Sequence, residues 1–143
     1  MPDTNPNLET MKKVAECLEM RKWEELKTYF SDDFVDHNPR WNVYTTDELV
    51  TRVREMIEKL ETTEDVKEMV AVEDKVFIRV NVSGTHKKEA FGFPPTGKKI
   101  EWEAIEIWRF DNEAKIAEIW FSSDILGLLY QLGLELPEKH KNL

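Results

Sequence analysis

The stretch VKEMVAVEDKVFIRVNV, residues 66–82, decides the architecture. Val66, Glu68, Val70 and Val72 share one parity, and Val76, Ile78, Val80 and Val82 repeat the same period, so each half reads as a half-buried strand. Glu73, Asp74 and Lys75 between them make the short polar turn of a hairpin. The period of two continues downstream. Ile100 to Phe110 alternates and Lys115 to Ser122 is β by composition, the two being separated by the turn Asp111 to Ala114, where Asn112 tolerates left-handed geometry. Phe91 to Lys99 is a connecting loop whose Pro94-Pro95-Thr96-Gly97 fits a type I turn. Asp124 to Leu132 reads as a closing helix stopped by Gly133.

Upstream of residue 66 the period is helical. Met11, Val14, Ala15 and Leu18 recur at helix spacing behind Asn7, a candidate N-cap. Trp23, Leu26 and Phe30 form a second, shorter stripe, with Arg21 and Lys22 between the two where cations suit a helix C-terminus. Thr45 and Glu48 have capping-box spacing ahead of Leu49, Val53, Met56, Ile57 and Leu60, and this third helix should end near residues 61–63. The expected order is three helices, about five strands and one short helix. Helices segregated to one end of the chain cannot make the crossovers of a parallel α/β sheet, so the class is α+β: a sheet of hairpins packed on helices.

The 143 residues form one expected domain, 1–143. With 41% hydrophobic and 34% charged residues the chain is suited to a water-soluble core, and no apolar run approaches the roughly 18 residues that a membrane helix needs. Residues 1–7 are polar and lack the features of a secretory signal, so the expected address is the cytoplasm. A net charge of −9 opposes nucleic-acid binding, because phosphate contact needs clustered cations. The single Cys17 excludes an internal disulfide and a cysteine-rich zinc site, and His37, His86 and His140 lack metal-ligand spacing, so no metal is expected.

Three segments, in order, resemble the SnoaL-like polyketide cyclase family, a branch of the fold shared with nuclear transport factor two and ketosteroid isomerase. They are Asp36-His37-Asn38-Pro39, then Gly84-Thr85-His86 followed by Phe91-Gly92-Phe93-Pro94-Pro95-Thr96-Gly97-Lys98, then Glu118-Ile119-Trp120-Phe121-Ser122-Ser123-Asp124 followed by Gln131-Leu132-Gly133. The resemblance implies a cone-shaped, curved, mostly antiparallel sheet around a small-molecule pocket, a homodimer, and cofactor-independent ring closure of a hydrophobic, carbonyl-bearing molecule with an aspartate as general base. Asp124 matches that aspartate, and the resemblance turns Trp120 and Asp124 inward and sets His37 and His86 at the pocket mouth. The chemistry is coherent, since a desolvated carboxylate takes a proton from a carbon between carbonyls while pocket donors hold the enolate.

Strand parity adds candidates. Glu118, Trp120 and Ser122 share one face with Asp124 just beyond, and Trp102, Ala104, Glu106, Trp108 and Phe110 share a face of the neighbouring strand. Both sets inward would converge Glu106, Glu118 and Asp124 among aromatic walls; the opposite parity, with Ile105, Ile107, Ile119 and Phe121, is equally apolar. Arg79 and Asn81 read either as a solvated strand face or as pocket residues. Asp124 is also a natural N-cap, and His37 a natural turn residue. The family's histidine before the tryptophan is Ile119 here, so a partner for Asp124 would come from His37, His86, Tyr29, Tyr44 or a carboxylate. The alternatives to a proton-abstracting enzyme are a non-catalytic ligand-binding protein and an epoxide hydrolase using Asp124 with Arg79.

Overall fold

The computed structural model describes residues 5–142. Asn5, rather than Asn7, caps the first helix: its side chain accepts the Asn7 N–H at 3.0 Å, and Pro6 occupies the first turn of α1 (Pro6–Met20), where its missing N–H costs nothing. Arg21 ends α1 in the left-handed region, and α2 is a short turn of helix, Trp23–Lys27. Helix α3 (Thr46–Leu60) begins with the capping box expected of Thr45 and Glu48 and ends at Glu61. No helix among the described residues is long and apolar enough to cross a membrane.

Five strands form one sheet in the order β1-β5-β4-β3-β2: β1 (Phe30–Asp36), β2 (Thr63–Val72), β3 (Lys75–Thr85), β4 (Lys99–Phe110) and β5 (Ile116–Ser123). All neighbours are antiparallel except β1 with β5. Strand β1 corrects the helical reading of Phe30: the stripe Trp23, Leu26, Phe30 stops at Lys27, and Phe30 starts an edge strand whose irregular register hides its alternation. Helix α4 (Ile125–Leu132) stops at Gly133, which adopts φ 122°. In the β4–β5 turn, Ala114 rather than Asn112 takes the left-handed conformation, held by its N–H to the Asp111 carbonyl.

The ladders fix what faces the helices. Residues directly opposite one another in an antiparallel pair share a face. One inner row runs Met69, Ile78, Glu106, Phe121, and the next runs Ala71, Val76, Trp108, Ile119 and on to Asp36. A bulge between Val66 and Glu68 switches the parity of β2, so Glu64 faces the interior with Val82 while Glu68, Val70 and Val72 face outward. The expected single face of Val66, Glu68, Val70 and Val72 is therefore broken in its first step. Core side chains Met11, Val14 and Cys17 of α1, Leu26 of α2 and Leu49 and Leu60 of α3 pack over the inner rows.

Candidate functional site

Between the helices and the concave sheet face lies a cavity of about 310 Å³, at the lower end of the size usual for small-molecule sites. Its walls are apolar and aromatic: Phe30 from β1, Trp41 from the loop before α3, Val53 and Met56 of α3, Trp102 and Trp108 of β4, and Phe121 of β5. Phe30 meets Trp108 edge-on with ring centroids 6.2 Å apart, and Trp41 leans on Phe121 at 6.0 Å.

Three carboxyl groups enter this cavity from three strands: Asp36, Glu64 and Glu106. Glu106 lies between Ile78 and Phe121 in the inner row, and Trp108 Nε1–H donates to its Oε2 at 2.8 Å. Burial pushes the Glu106 carboxyl up to about 8, the Glu64 charge adds to the rise, the Trp108 bond opposes it, and Asp36 adds a smaller increase. Glu64 is raised by desolvation of its carboxyl, although the residue as a whole is exposed at the edge of the cavity. Asp36 is also raised by burial, but the Asn38 N–H, 2.8 Å from its Oδ1, and the neighbouring His37 favour its charged form. Asn38 lines the same cavity at 4% exposure; its Oδ1 accepts the Arg40 N–H and its Nδ2 has no partner among the described residues.

Of the residues expected at the site, Glu106 and Trp108 line the cavity and the others do not. Asp124 is exposed and caps α4, its Oδ1 accepting the Gly127 N–H at 2.9 Å. Gly127 leaves room for this cap: a Cβ there would stand 2.1 Å from Asp124 Oδ2, and the carboxylate would have to swing aside. The carboxylate thus sits at a helix N-terminus in water, the opposite of the desolvation a base needs, and its neighbour Ser123 faces the cavity instead. Glu118 and Trp120 are on the outer face because Ile119 and Phe121 occupy the inner one. There His37 stacks on Trp120 with centroids 4.8 Å apart, and Glu118 joins His37 Nε2 at 2.8 Å and Arg109 Nε at 2.6 Å. Those two partners, His37 first, hold the Glu118 carboxyl below its usual range despite some desolvation.

Arg79 is also on the outer face, bonded to Glu68 and Glu103, and Asn81 donates to Glu101 at 2.6 Å. Tyr44 is 73% exposed. His86 is fully buried but serves the loop after β3: its Nδ1 accepts the Thr96 N–H at 3.3 Å and lies 3.1 Å from Thr96 Oγ1. Asp36, Asn38 and Glu64 were the residues the sequence did not single out. The first two flank His37 within a recognised segment, and a parity count from Phe34 would have set Asp36 and Asn38 opposite to His37. Glu64 had no signal, because the bulge after Val66 breaks its alternation with the rest of β2. Among the described residues no group of three or more His, Cys, Asp and Glu side chains is arranged to hold a metal ion.

No curated protein sequence matches the chain. Solved structures do, with the same fold. AclR from Streptomyces galilaeus, a proposed hydroxylase, is 23% identical, with 94% of this chain and 90% of that one covered and a TM-score of 0.78. IdmH from Streptomyces antibioticus, a proposed polyketide cyclase, is 24% identical over 91% of this chain and 100% of that one, also with a TM-score of 0.78. A proposed polyketide cyclase from Bacillus cereus is 28% identical over 85% and 80% of the two chains, with a TM-score of 0.67. The sequence pattern of one family spans residues 8–132, nearly every element from α1 to α4, and the chain accordingly belongs to the SnoaL-like polyketide cyclases.

Proposed function

We propose that the protein is a cofactor-independent enzyme that removes a proton from a carbon beside a carbonyl group in a hydrophobic substrate, with Asp36 as base and Glu106 as the acid. The observation that carries this reading is the environment of Glu106, a carboxyl on the wall of an apolar cavity pushed up to about 8 while Asp36 keeps a backbone donor on its oxygen. Two carboxyls whose surroundings separate their protonation behaviour divide into an acid and a base. At neutral pH Glu106 is mainly the neutral acid. Asp36 takes the C–H proton, the C–H electron pair moves into the carbonyl as an enolate, and the Glu106 O–H donates to the developing oxygen. The unpartnered Asn38 amide offers a second donor. The enolate carbon then attacks a second carbonyl of the same molecule, closing a ring, or is reprotonated at a new position; in either case the proton on Asp36 returns to product.

Exchange of the methylene protons of an aryl β-diketone with deuterated water, followed by NMR, tests the assignment. Wild type should accelerate exchange, and Asp36→Asn should lose about a hundredfold or more of that acceleration while still quenching tryptophan fluorescence on binding. Binding without accelerated exchange in wild type would instead identify a ligand-binding protein.

We also propose that the protein pairs as a homodimer through the outer sheet face. Val70, Phe77, Ile107 and Trp120 form a cross-strand apolar row there, flanked by Arg79 with Glu68 and Glu103 on one side and Arg109 with Glu118 on the other, so a copy turned by a two-fold axis meets apolar surface bordered by charges already paired within each chain. Sedimentation of wild type and Phe77→Lys/Ile107→Lys tests this: a dimer that becomes a folded monomer supports it, and a monomeric wild type refutes it.

A further inference from the structure

The charges around the cavity are unevenly placed. Asp36 and Glu106 are the shielded carboxyls of the cavity, whereas its more exposed lining holds the cations Arg40, Arg52 and Lys59 against two acids, Glu55 and Glu64. This is a local excess of cations in a chain of net charge −9. Lys59 has an ordinary explanation, since it is in the last turn of α3 where a cation complements the helix dipole. The two arginines have none of this kind. Arg40 is in the loop after β1, and its guanidinium has no hydrogen-bond or ion-pair partner among the described residues; only its backbone N–H is engaged, by Asn38 Oδ1. Arg52 is in the middle of α3, one turn from Met56 on the face lining the cavity, and its one partner is Glu55 at 3.2 Å, a half-exposed pair of little intrinsic worth.

We propose that the substrate carries an anionic end group, carboxylate or phosphate, which docks on Arg40 and Arg52 at the cavity mouth while its apolar, carbonyl-bearing body lies against the tryptophans inside. This rests on the reading above, that the cavity holds the substrate, and it adds the substrate's polarity and direction of entry. Arginine suits the task because its planar fork pairs both oxygens of such an anion. The arrangement also separates like charges: the anion stays at the solvent edge, and the inner carboxyls, which burial drives toward their neutral forms, face the body of the molecule. The anchored end then sets which carbonyl reaches Glu106.

Three probes test this: a naphthyl β-diketone bearing a carboxylate on a two-carbon tether, the corresponding phosphate monoester, and the methyl ester of the acid. Affinity is read from tryptophan quenching. Either anion should bind about tenfold more tightly than the ester at low salt, with the advantage shrinking as salt is added, and the tighter of the two names the group. In Arg40→Gln/Arg52→Gln the advantage should vanish while ester affinity stays at the wild-type level; Arg40→Gln alone, at an exposed loop position, serves if the double variant does not fold, and should lose at least half of the advantage on the logarithmic scale. Equal binding of acid and ester by wild type, an advantage that survives substitution, or failure of all three probes to bind overturns the proposal. Its failure is separable from that of the acid–base reading: preference for the anions without methylene exchange sinks only the latter, and equal affinities with exchange sink only this one.

Discussion

The indole N–H of Trp108 donates to Glu106 Oε2 at 2.8 Å from two residues along the same strand face. The bond supports the charged form of a carboxyl that burial and Glu64 otherwise drive toward the neutral one, and the balance leaves Glu106 at about 8. A carboxyl raised in the folded state binds more protons there than in the unfolded chain. Its contribution to stability is full below the ordinary carboxylate value and is lost as pH rises through about 8. Stability measured by urea unfolding should therefore fall between about pH 5 and pH 8, by at most about 1.4 kcal/mol per pH unit. Glu106→Gln should flatten that slope, and an unchanged slope would show that the group does not titrate there.

The same titration shapes the rate. If Glu106 acts as the neutral acid, the acceleration of methylene exchange should decline as pH rises through about 8, because the donor is lost. Trp108→Phe removes the one contact that favours the charged carboxyl, so the decline should move to higher pH. A rate that rises through this range instead would make Glu106 the base and exchange the roles assigned to it and Asp36.

Asp124 should behave as a cap and nothing more. Asp124→Asn, which retains an accepting oxygen, should leave both exchange and stability nearly unchanged, whereas Asp124→Ala should cost about 1 kcal/mol in denaturant unfolding without a comparable fall in the rate. A hundredfold loss of rate in a stably folded Asp124→Asn would restore the role that the family resemblance implies.

Gly84 marks where β3 passes beneath the end of α3. A Cβ there would stand 2.0 Å from the Leu60 carbonyl oxygen, a backbone atom that cannot swing away. Gly84→Ala should destabilise by about 3 kcal/mol or more, read as a lower urea midpoint, since α3 must shift and carries Met56 and Lys59 of the cavity wall with it.

Thr45→Ala removes one half of the capping box at the start of α3 and should cost about 1 kcal/mol, read by the same unfolding. Its effect on ligand affinity should be small, because the cavity-lining part of α3 begins at Leu49.

Local patterns were sufficient for most of the architecture. The period of two from residue 66 onward, the polar turn at Glu73 and Asp74, the Thr45 and Glu48 box and the stop at Gly133 each act over a few residues, and each appears in the fold. On β4 alternation grouped Trp102, Ala104, Glu106, Trp108 and Phe110 on one face without deciding that this face is the inner one, because Ile105 and Ile107 make the other face equally apolar. What alternation cannot express is register between strands. Parity says which residues of one strand share a face, but only the pairing of Glu106 with Phe121 decides which residues of β5 join them, and a one-residue slip would have exchanged Phe121 for Trp120. Asp124 followed the same error outward and became a cap. The bulge in β2 and the irregular pairing of β1 likewise arise from contacts distant in sequence, and they brought Glu64 and Asp36 into the cavity. The chain's own order of residues determined the helices, the hairpins and which residues of β4 share a face; the site was decided by tertiary pairing, because a cavity is made of side chains that meet only after their strands have aligned.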